Sequence, residues 1–295
     1  MTQPIIQMTD MVARRDGFRF GPVTLEVEPG YVVAIVGPNG SGKSTLFHTL
    51  TDLVRPESGE LRLFGATYDV DELAIRRRIG FVPERSVGMD RMTGRSLGEF
   101  AAHWYPGWEA AHYRDLLKAM EIDPDARFET LSKGLQRRLA SAIALATGAE
   151  LLLADEPMDA VDPFFSEHIL DLYSEFMAEG DRAIVFSTHA LDDVRRIADY
   201  VLLVNNGAVV GMFEKDALLE QWQVLWLDAA PIPGTPGVVR IGHGAMTRVL
   251  TRDVEATRSS LAVQGRSVVR AATPELNEIL GELLQTPARE GAAVN

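Results

Sequence analysis

The sequence contains no cysteine. This absence excludes disulfides, thiol nucleophiles and cysteine-ligated metal, and it fits a reducing compartment. No segment approaches the ~18 consecutive apolar residues that a membrane-spanning helix needs. The first ten residues, MTQPIIQMTD, lack the basic and then apolar segments of a secretory signal. We therefore expect a cytoplasmic protein with no direct membrane insertion.

Basic residues are also scarce. The 295 residues include 42 Asp and Glu but only 29 Lys and Arg, which leaves a formal charge of −13. Such a charge opposes general attraction to nucleic acids and to anionic lipids. It predicts no nucleic-acid partner, and it predicts that any membrane association goes through another protein. The hydrophobic content of 46% is enough for a substantial core, so we expect a folded protein.

Apolar runs alternate with helical patterns along most of the chain. Runs rich in Val, Ile and Leu suit strands that are buried on both faces. Strands that alternate with helices indicate an α/β fold with a parallel sheet covered by helices. The predicted strands are residues 31–36, 151–154, 183–186 and 200–204, and the predicted helices are residues 42–53, 135–146 and 164–178.

Two regions differ from this pattern. Residues 96–120 are helical in pattern and rich in aromatic residues, with a break at Pro106-Gly107, which indicates a helical insert spanning about 84–150. After residue 215, short strand-like runs are separated by turn signals. We expect a first domain over 1–215 and a small C-terminal α+β domain over 216–295. Its last helix is predicted to begin with Thr273 as N-cap and Pro274 in the first turn.

The segment GPNGSGKST follows the first predicted buried strand and opens a helix. This is the context that a phosphate-binding loop requires, because its glycines let backbone N–H groups and the helix N-terminus face an anion. Lys43 supplies a charge for the β and γ phosphates, and the hydroxyl of Ser44 is a ligand for Mg²⁺. The predicted ATP-binding residues here are Gly37, Pro38, Asn39, Gly40, Ser41, Gly42, Lys43, Ser44 and Thr45.

Two adjacent acids end the apolar strand LLLA. Asp155 is predicted to hold Mg²⁺, and Glu156 to face a water that attacks the γ-phosphorus. Taken alone, paired acids at a strand end are more often a solvated turn. Together with Lys43 they favour a nucleotide-hydrolysing site.

Three further segments follow the phosphate-binding loop along the chain: LSKGLQ at 131–136 precedes the paired acids, and MDAVD at 158–162 and STH at 187–189 come after them. With them, residues 1–215 resemble the ATP-binding subunits of ABC transporters. The resemblance implies a P-loop NTPase core of ABC type with an N-terminal antiparallel β part. It also implies ATP and Mg²⁺ as cofactors, a second ATP-binding subunit in a homodimer, and a separate transmembrane permease that holds the chain at the inner face of the membrane.

The same resemblance assigns roles to residues outside the phosphate loop. Ser132 and Gly134 are expected to face the γ-phosphate bound to the partner subunit, and Asp162 is expected to help link the two halves. His189 is expected to contact the γ-phosphate and the attacking water. Catalysis is thereby assigned to Glu156, His189 and Lys43.

Three positions depart from the family pattern. Glu84 stands where a glutamine commonly reaches Mg²⁺ and water, so a carboxylate becomes a third metal ligand beside Ser44 and Asp155. Lys133 and Leu135 replace the commoner Gly and Gln. Arg15 lies near the usual position of the adenine-stacking aromatic residue, and Phe18 is a second candidate.

The glutamate at position 84 and the lysine at position 133 are shared with a resembling subgroup of bacterial exporters. The segment YPGW at 105–108, which lies between them, strengthens this resemblance. The side chains of Trp104, Tyr105 and Trp108 either form a groove for a membrane domain or pack inside the insert.

Two other functions stay open: a soluble ABC-type ATPase in cofactor assembly, and a nucleotide-regulated binding module with weak hydrolysis.

Overall fold

A computed structural model describes residues 3–86, 89–242 and 244–285 of the chain. The chain divides into two compact units, the first ending at Met212 and the second beginning at Phe213. The last ten residues of the predicted C-terminal domain, 286–295, lie outside the described residues.

The first unit alternates strands and helices. Its strands are β1 (Ile6–Arg15), β2 (Phe18–Val27), β3 (Val32–Val36), β4 (Pro56–Leu63), β5 (Ile79–Val82), β6 (Leu151–Ala154), β7 (Ala183–Ser187), β8 (Tyr200–Asn205) and β9 (Ala208–Glu214), the last of which crosses the unit boundary. Its helices are α1 (Lys43–Leu50), α2 (Tyr68–Arg77), α3 (Gly94–Ala102), α4 (Ala110–Ala119), α5 (Lys133–Leu145), α6 (Pro163–Ala178) and α7 (Leu191–Ile197), with a 3₁₀ turn at Phe128–Thr130.

The central sheet has the strand order β5-β6-β7-β3-β8-β9. The strands from β5 to β8 run parallel, and every residue of β6 and β7 is buried. The buried parallel core and the α/β fold class predicted from the apolar runs are confirmed. Because the strands are parallel, their carboxyl ends meet at one edge of the sheet. This edge brings together the segments that follow Val36, Val82, Ala154 and Ser187.

The predicted antiparallel β part is a separate sheet with the order β2-β1-β4. Arg15 lies opposite Phe18 where β1 and β2 meet at their hairpin. Phe20 of β2 is fully buried in the same apolar cluster as Ile35 of β3 and Phe47 of α1. The small sheet thus packs beside the start of α1.

Between β5 and β6 the chain forms α3, α4, the 3₁₀ turn and α5. Tyr113 is buried, donates from its hydroxyl to the Gly94 carbonyl (2.7 Å), and has its ring centroid 4.8 Å from that of Trp108. Phe100 and Trp104 are exposed. Trp108 therefore packs inside the helical segment, whereas the groove for a membrane domain stays a prediction. Within the described ranges, no helix is both long and apolar enough to cross a bilayer.

The second unit contains an antiparallel sheet and helices. Over residues 213–242 and 244–285 its elements are α8 (Lys215–Gln221), β10 (Gln223–Leu227), β11 (Val238–Gly242), β12 (Thr247–Thr251), α9 (Val254–Val263), β13 (Val268–Ala272) and α10 (Leu276–Gln285). The strand order is β11-β12-β10-β13, and Leu225, Leu227, Val249 and Leu261 form the core.

The predicted start of the last helix was wrong. Helix α10 begins at Leu276, and the Ile279 amide donates to the Glu275 carbonyl (3.3 Å), so Thr273 and Pro274 precede the helix. The physical reason is that the Glu275 carbonyl accepts the first helical hydrogen bonds, from the amides of Glu278 (3.0 Å) and Ile279. Thr273 and Pro274 therefore lie between β13 and the helix.

Strand β6 is fully buried and directly precedes the paired acids, so its packing should govern the stability of the first unit. Leu153 is fully buried in the core cluster, whereas Leu53 is 64% exposed. We expect Leu153→Ala to lower the free energy of unfolding by about 2–5 kcal/mol, because it leaves a cavity. Leu53→Ala, the matched control, should change it by less than about 0.5 kcal/mol. Urea unfolding followed by circular dichroism measures both, and equal effects would contradict this account of the core.

Candidate functional site

A cavity of about 730 Å³ lies at the carboxyl edge of the parallel sheet. It collects residues from β1, β2, the phosphate loop, α1 and the segments after β5, β6 and β7. Its lining consists of Arg15, Asp16, Phe18, Asn39, Gly40, Ser41, Gly42, Lys43, Ser44, Thr45, Glu84, Glu156, Asp159 and His189.

The loop before α1 needs glycine at positions where the backbone approaches other atoms closely. Gly42, which precedes α1, has φ of 112°, and a Cβ there would lie 2.5 Å from a ring carbon of Phe20. A Cβ at Gly37 would lie 2.1 Å from the Val204 carbonyl oxygen. The small residues thus let the loop lie against β2 and β8 and leave its N–H groups for an anion.

Lys43 is the buried cation of the site, with only 7% of its surface exposed. Its Nζ donates to the carbonyls of Gly37 (2.9 Å) and Pro38 (3.4 Å), and it lies 3.8 Å from Oε1 of Glu156. Burial lowers the pKa of Lys43, and the carboxylates, first that of Glu156, oppose this shift. The ammonium group is therefore held at the base of the cavity by carbonyls and by one close carboxylate.

Asp155 and Glu156 share one serine partner. Ser187 donates from Oγ to Oδ1 of Asp155 (2.7 Å), and the same Oγ accepts from the Glu156 amide (2.9 Å). Burial raises the pKa of Asp155, and the hydrogen bond from Ser187 opposes the shift. Ser187 belongs to a segment singled out in the sequence but was not assigned a role; its position at the end of a buried strand is the signal that could have identified it.

Glu156 reaches into the cavity from an unusual backbone, with φ of 51°. Burial raises its pKa to about 7, with Lys43 opposing and Asp155 adding to the shift. Nε2 of His189 lies 2.8 Å from Oε1 of Glu156. This close contact is not aligned as a hydrogen bond, and within the described residues that oxygen has no hydrogen-bond partner. Burial, and then Lys43, lower the pKa of His189, which favours a neutral imidazole.

The donors suited to a cation are Ser44, Asp155 and Glu84. Ser44 and Glu84 both lie close enough to act on the pKa of Asp155, which the Ser44 hydroxyl lowers and the Glu84 charge raises. Among residues 3–86, 89–242 and 244–285, no group of three or more His, Asp or Glu side chains is arranged to hold a metal ion. Two carboxylates and a hydroxyl fit Mg²⁺, which takes its remaining ligands from water and substrate phosphates.

Arg15 and Phe18, the two candidates for adenine contact, both line the cavity from the β1–β2 hairpin. A guanidinium nitrogen of Arg15 contacts Nδ1 of His48, one turn beyond Ser44 on α1. Burial lowers the pKa of His48, and the charge of Arg15 lowers it further. The contact of His48 with Arg15 was not predicted, and the spacing of four residues from Ser44 was its only signal in the sequence.

The residues assigned to the partner's nucleotide do not line this cavity. Ser132 is the N-cap of α5, where its Oγ accepts from the Leu135 amide (3.2 Å). A Cβ at Gly134 would lie 2.6 Å from the Ala160 carbonyl oxygen. Asp162 is the N-cap of α6, and its Oδ1 accepts from the amides of Phe164 (3.1 Å) and Phe165 (3.2 Å). One chain therefore does not bring these residues to Lys43.

The chain matches the ABC transporter family over residues 20–159. It is 26% identical over 200 residues to the ABC transporter ATP-binding protein YtrB of Bacillus subtilis, and the match covers 68% of each chain. It is 35% identical over 205 residues to the phosphonates import ATP-binding protein PhnC 2 of Trichodesmium erythraeum, covering 64% of this chain and 78% of PhnC 2. A macrolide export ATP-binding/permease protein, MacB of Azoarcus, is 32% identical over 270 residues; the match covers 88% of this chain but 38% of MacB.

Solved structures agree in fold. An ATP-binding subunit of an ABC transporter superposes with a TM-score of 0.67 at 26% identity, covering 74% of this chain and 92% of that subunit. A dimeric ATP-binding cassette in a post-hydrolysis state with ADP and Pi superposes with a TM-score of 0.63 at 25% identity, covering 71% of this chain and 98% of that one. Together with the Lys43, Glu156 and His189 side chains that line one cavity of about 730 Å³, these comparisons show that the chain belongs to the ATP-binding subunits of ABC transporters and is an ATPase.

Proposed function

We propose that this ATPase powers an exporter, through ATP-driven closure of a homodimer held beneath a separate permease at the inner face of the membrane. Residues 1–215 are the ATP-binding domain in this proposal, and residues 216–295 are an accessory domain. The observation that carries it is the group formed by Lys43, Glu156 and His189 at the base of a cavity lined by the phosphate loop.

ATP binds in this proposal with its phosphates on residues 37–45. The amides of the loop and the N-terminus of α1 face the β and γ phosphates, and Lys43 neutralises part of their charge. The buried Oγ of Ser41 has no hydrogen-bond partner in the described structure, so a phosphate oxygen can supply one. The adenine contacts Arg15, whose guanidinium plane suits stacking on a base.

Mg²⁺ would be held by Ser44, Asp155 and Glu84. When bound, it neutralises charge on the β and γ phosphates. Asp155 is 2% exposed, and a cation beside it offsets the cost of burying its charge. Glu84 adds a negative charge next to the phosphates, so it makes turnover more dependent on Mg²⁺ than a neutral glutamine would.

Hydrolysis then depends on positioning and charge. Glu156 orients a water molecule and accepts its proton as the water oxygen bonds to the γ-phosphorus. The bond from that phosphorus to the β–γ bridging oxygen breaks, leaving ADP and inorganic phosphate. His189, with 54% of its side chain exposed, reaches the γ-phosphate from the cavity mouth, and Lys43 stabilises the negative charge on the transferred group.

In the proposed dimer, the partner supplies the anion-binding segment that the chain's own cavity lacks. Ser132 and Gly134 lie at the exposed N-terminus of α5, away from the chain's own cavity. A helix N-terminus attracts anions, so in a head-to-tail dimer this segment can close over the γ-phosphate of the partner. Asp162, which caps α6, lies near the same interface in the proposed dimer and links the two sites.

Export is favoured by two observations. MacB, similar over 88% of this chain, is named as a macrolide export protein. Glu84 and Lys133 are also the residues that resemble the exporter subgroup. PhnC 2 is named as an import protein, so the ATPase domain alone fits both directions.

Replacing Glu156 tests the assignment of the base. We expect Glu156→Gln to lower kcat by about 100- to 1,000-fold, because the water loses its proton acceptor. ATP binding should persist, and the variant should form a dimer in ATP that size-exclusion chromatography detects. Glu167→Gln, an exposed control on α6, should behave as wild type. ATP binding by wild type without turnover, even with native membranes added, would instead favour a regulatory binding module.

The pKa of Glu156 predicts the pH dependence of hydrolysis. Because burial raises this pKa to about 7, the carboxyl is protonated and inactive below that pH. We expect kcat/KM to fall about tenfold for each pH unit below ~7 and to level off above it. The ATP affinity of Glu156→Gln, measured over the same range, corrects for protonation of the nucleotide. A corrected profile that is flat between pH 5.5 and 8 would rule out Glu156 as the base.

Phe100 and Trp104 are the exposed aromatic residues of the helical segment, with ring centroids 6.3 Å apart. If they contact the permease, replacing both with alanine should weaken cosedimentation with native membranes at least tenfold, because buried aromatic residues dominate such interfaces. Tyr31→Ala, an exposed aromatic control outside this segment, should cosediment as wild type. Unchanged binding of the double variant, with its ATPase activity intact, would remove this surface from the proposal.

A further inference from the structure

One buried side chain joins three segments of the site. Arg137 lies on α5 and is 9% exposed. Its Nη1 donates to the carbonyl of Pro83 (2.7 Å), which precedes Glu84, and approaches the carbonyl of Asp155 (3.3 Å), which precedes Glu156. Its Nη2 lies 3.8 Å from Oδ2 of Asp159. The helix capped by Ser132 is thus connected directly to the segments that carry the proposed site carboxylates Glu84, Asp155 and Glu156.

These contacts hold Arg137 strongly in place. A guanidinium is always charged and is costly to bury unless its N–H groups have partners. Asp159 is 68% exposed, so its ion pair with Arg137 is weak. The two backbone carbonyls are therefore the main partners of the charge, and a shift of the arginine requires Pro83 and Asp155 to move with it or lose a hydrogen bond.

Helix α5 provides a rigid link from Ser132 to this arginine. Ser132 is the N-cap, and Arg137 follows five residues later, which is roughly 7.5 Å along a helix axis. A second cavity, of about 440 Å³, is lined by Glu84, Lys133 and Arg137 among others, so these groups have open space beside them. A change at the Ser132 end of α5 can therefore reach Glu84 and Glu156 through one side chain.

We propose that Arg137 is a positioning residue that couples the Ser132 end of α5 to the Glu84 segment and the paired acids. It does not line the ATP cavity, so it acts through Glu84 and Glu156 and not by contact with the nucleotide. Closure of one nucleotide site against Ser132 then sets the catalytic geometry of the other site. This inference rests on the proposed head-to-tail dimer.

Kinetics and binding of Arg137→Gln and Arg137→Lys test the proposal. We expect Arg137→Gln to lower kcat about 10- to 50-fold, as expected for a displaced catalytic group. The Kd for ATP should change less than about threefold. The Hill coefficient for ATP should fall toward 1, from a wild-type value between 1 and the two sites of a dimer. Arg137→Lys should recover part of kcat, because a single ammonium can still reach one carbonyl.

A second variant identifies the route of the coupling. In a Glu84→Gln background, Arg137→Gln should cost less in kcat than in wild type, because the two residues act through one segment. Arg78→Gln is the matched control: Arg78 is bidentate to Glu150 (2.6 Å for both bonds), stacks on Phe64 and does not line the cavity. It should leave kcat per folded protein and the Hill coefficient unchanged.

The outcomes separate this inference from the proposed function. Wild type that hydrolyses ATP, with Arg137→Gln matching Arg78→Gln in kcat and Hill coefficient, would overturn the coupling role alone. If Arg137→Gln does not fold, a folded Arg137→Lys with wild-type kcat and Hill coefficient would overturn it equally. Wild type with no turnover under any condition would overturn the proposed function, and the coupling role with it.

Discussion

The structure of the first unit depends on burying a lysine and two carboxylates at one edge of a parallel sheet. Lys43, Asp155 and Glu156 each follow a buried strand, and burial shifts the pKa of each toward its neutral form. Such a group is costly without partners. The carbonyls of the glycine loop and the hydroxyl of Ser187 supply them. In the proposed complex, the phosphates of ATP and a cation would add further partners at this edge of the sheet.

In the proposed dimer, one chain supplies only part of a charge-neutralising shell around the nucleotide. Ser132 and Asp162 cap α5 and α6 and do not line the Lys43 cavity, so in this proposal they belong to the part that meets the partner's nucleotide. A second copy would complete the shell with the same surface, as a two-fold interface requires. Arg137 would couple the two sites of this proposed dimer, because α5 also holds the backbone beside Glu84 and Glu156 through the arginine.

The sequence predicted the features that depend on residues close together along the chain. Apolar runs predicted the parallel strands β3, β6, β7 and β8 but not β5, and the segments after them predicted that Lys43, Glu156 and His189 lie at one cavity. What it could not predict were contacts between distant residues: Ser187 is 32 residues from Asp155, and Arg137 is 54 from Pro83. The aromatic segment shows the same limit, since only packing decides that Trp108 contacts Tyr113 while Trp104 is exposed.

The most direct test of the shared site mixes two variants that each lack one half of it. Lys43→Ala removes the phosphate-loop charge, and Ser132→Phe blocks the helix end proposed to meet the partner's nucleotide. Each protein alone should hydrolyse ATP poorly. In a head-to-tail dimer, mixing them creates one site with both an intact Lys43 and an intact Ser132, so turnover should recover well above the sum of the separate proteins. A mixture no more active than that sum, with mixed dimers demonstrated, would contradict the shared site.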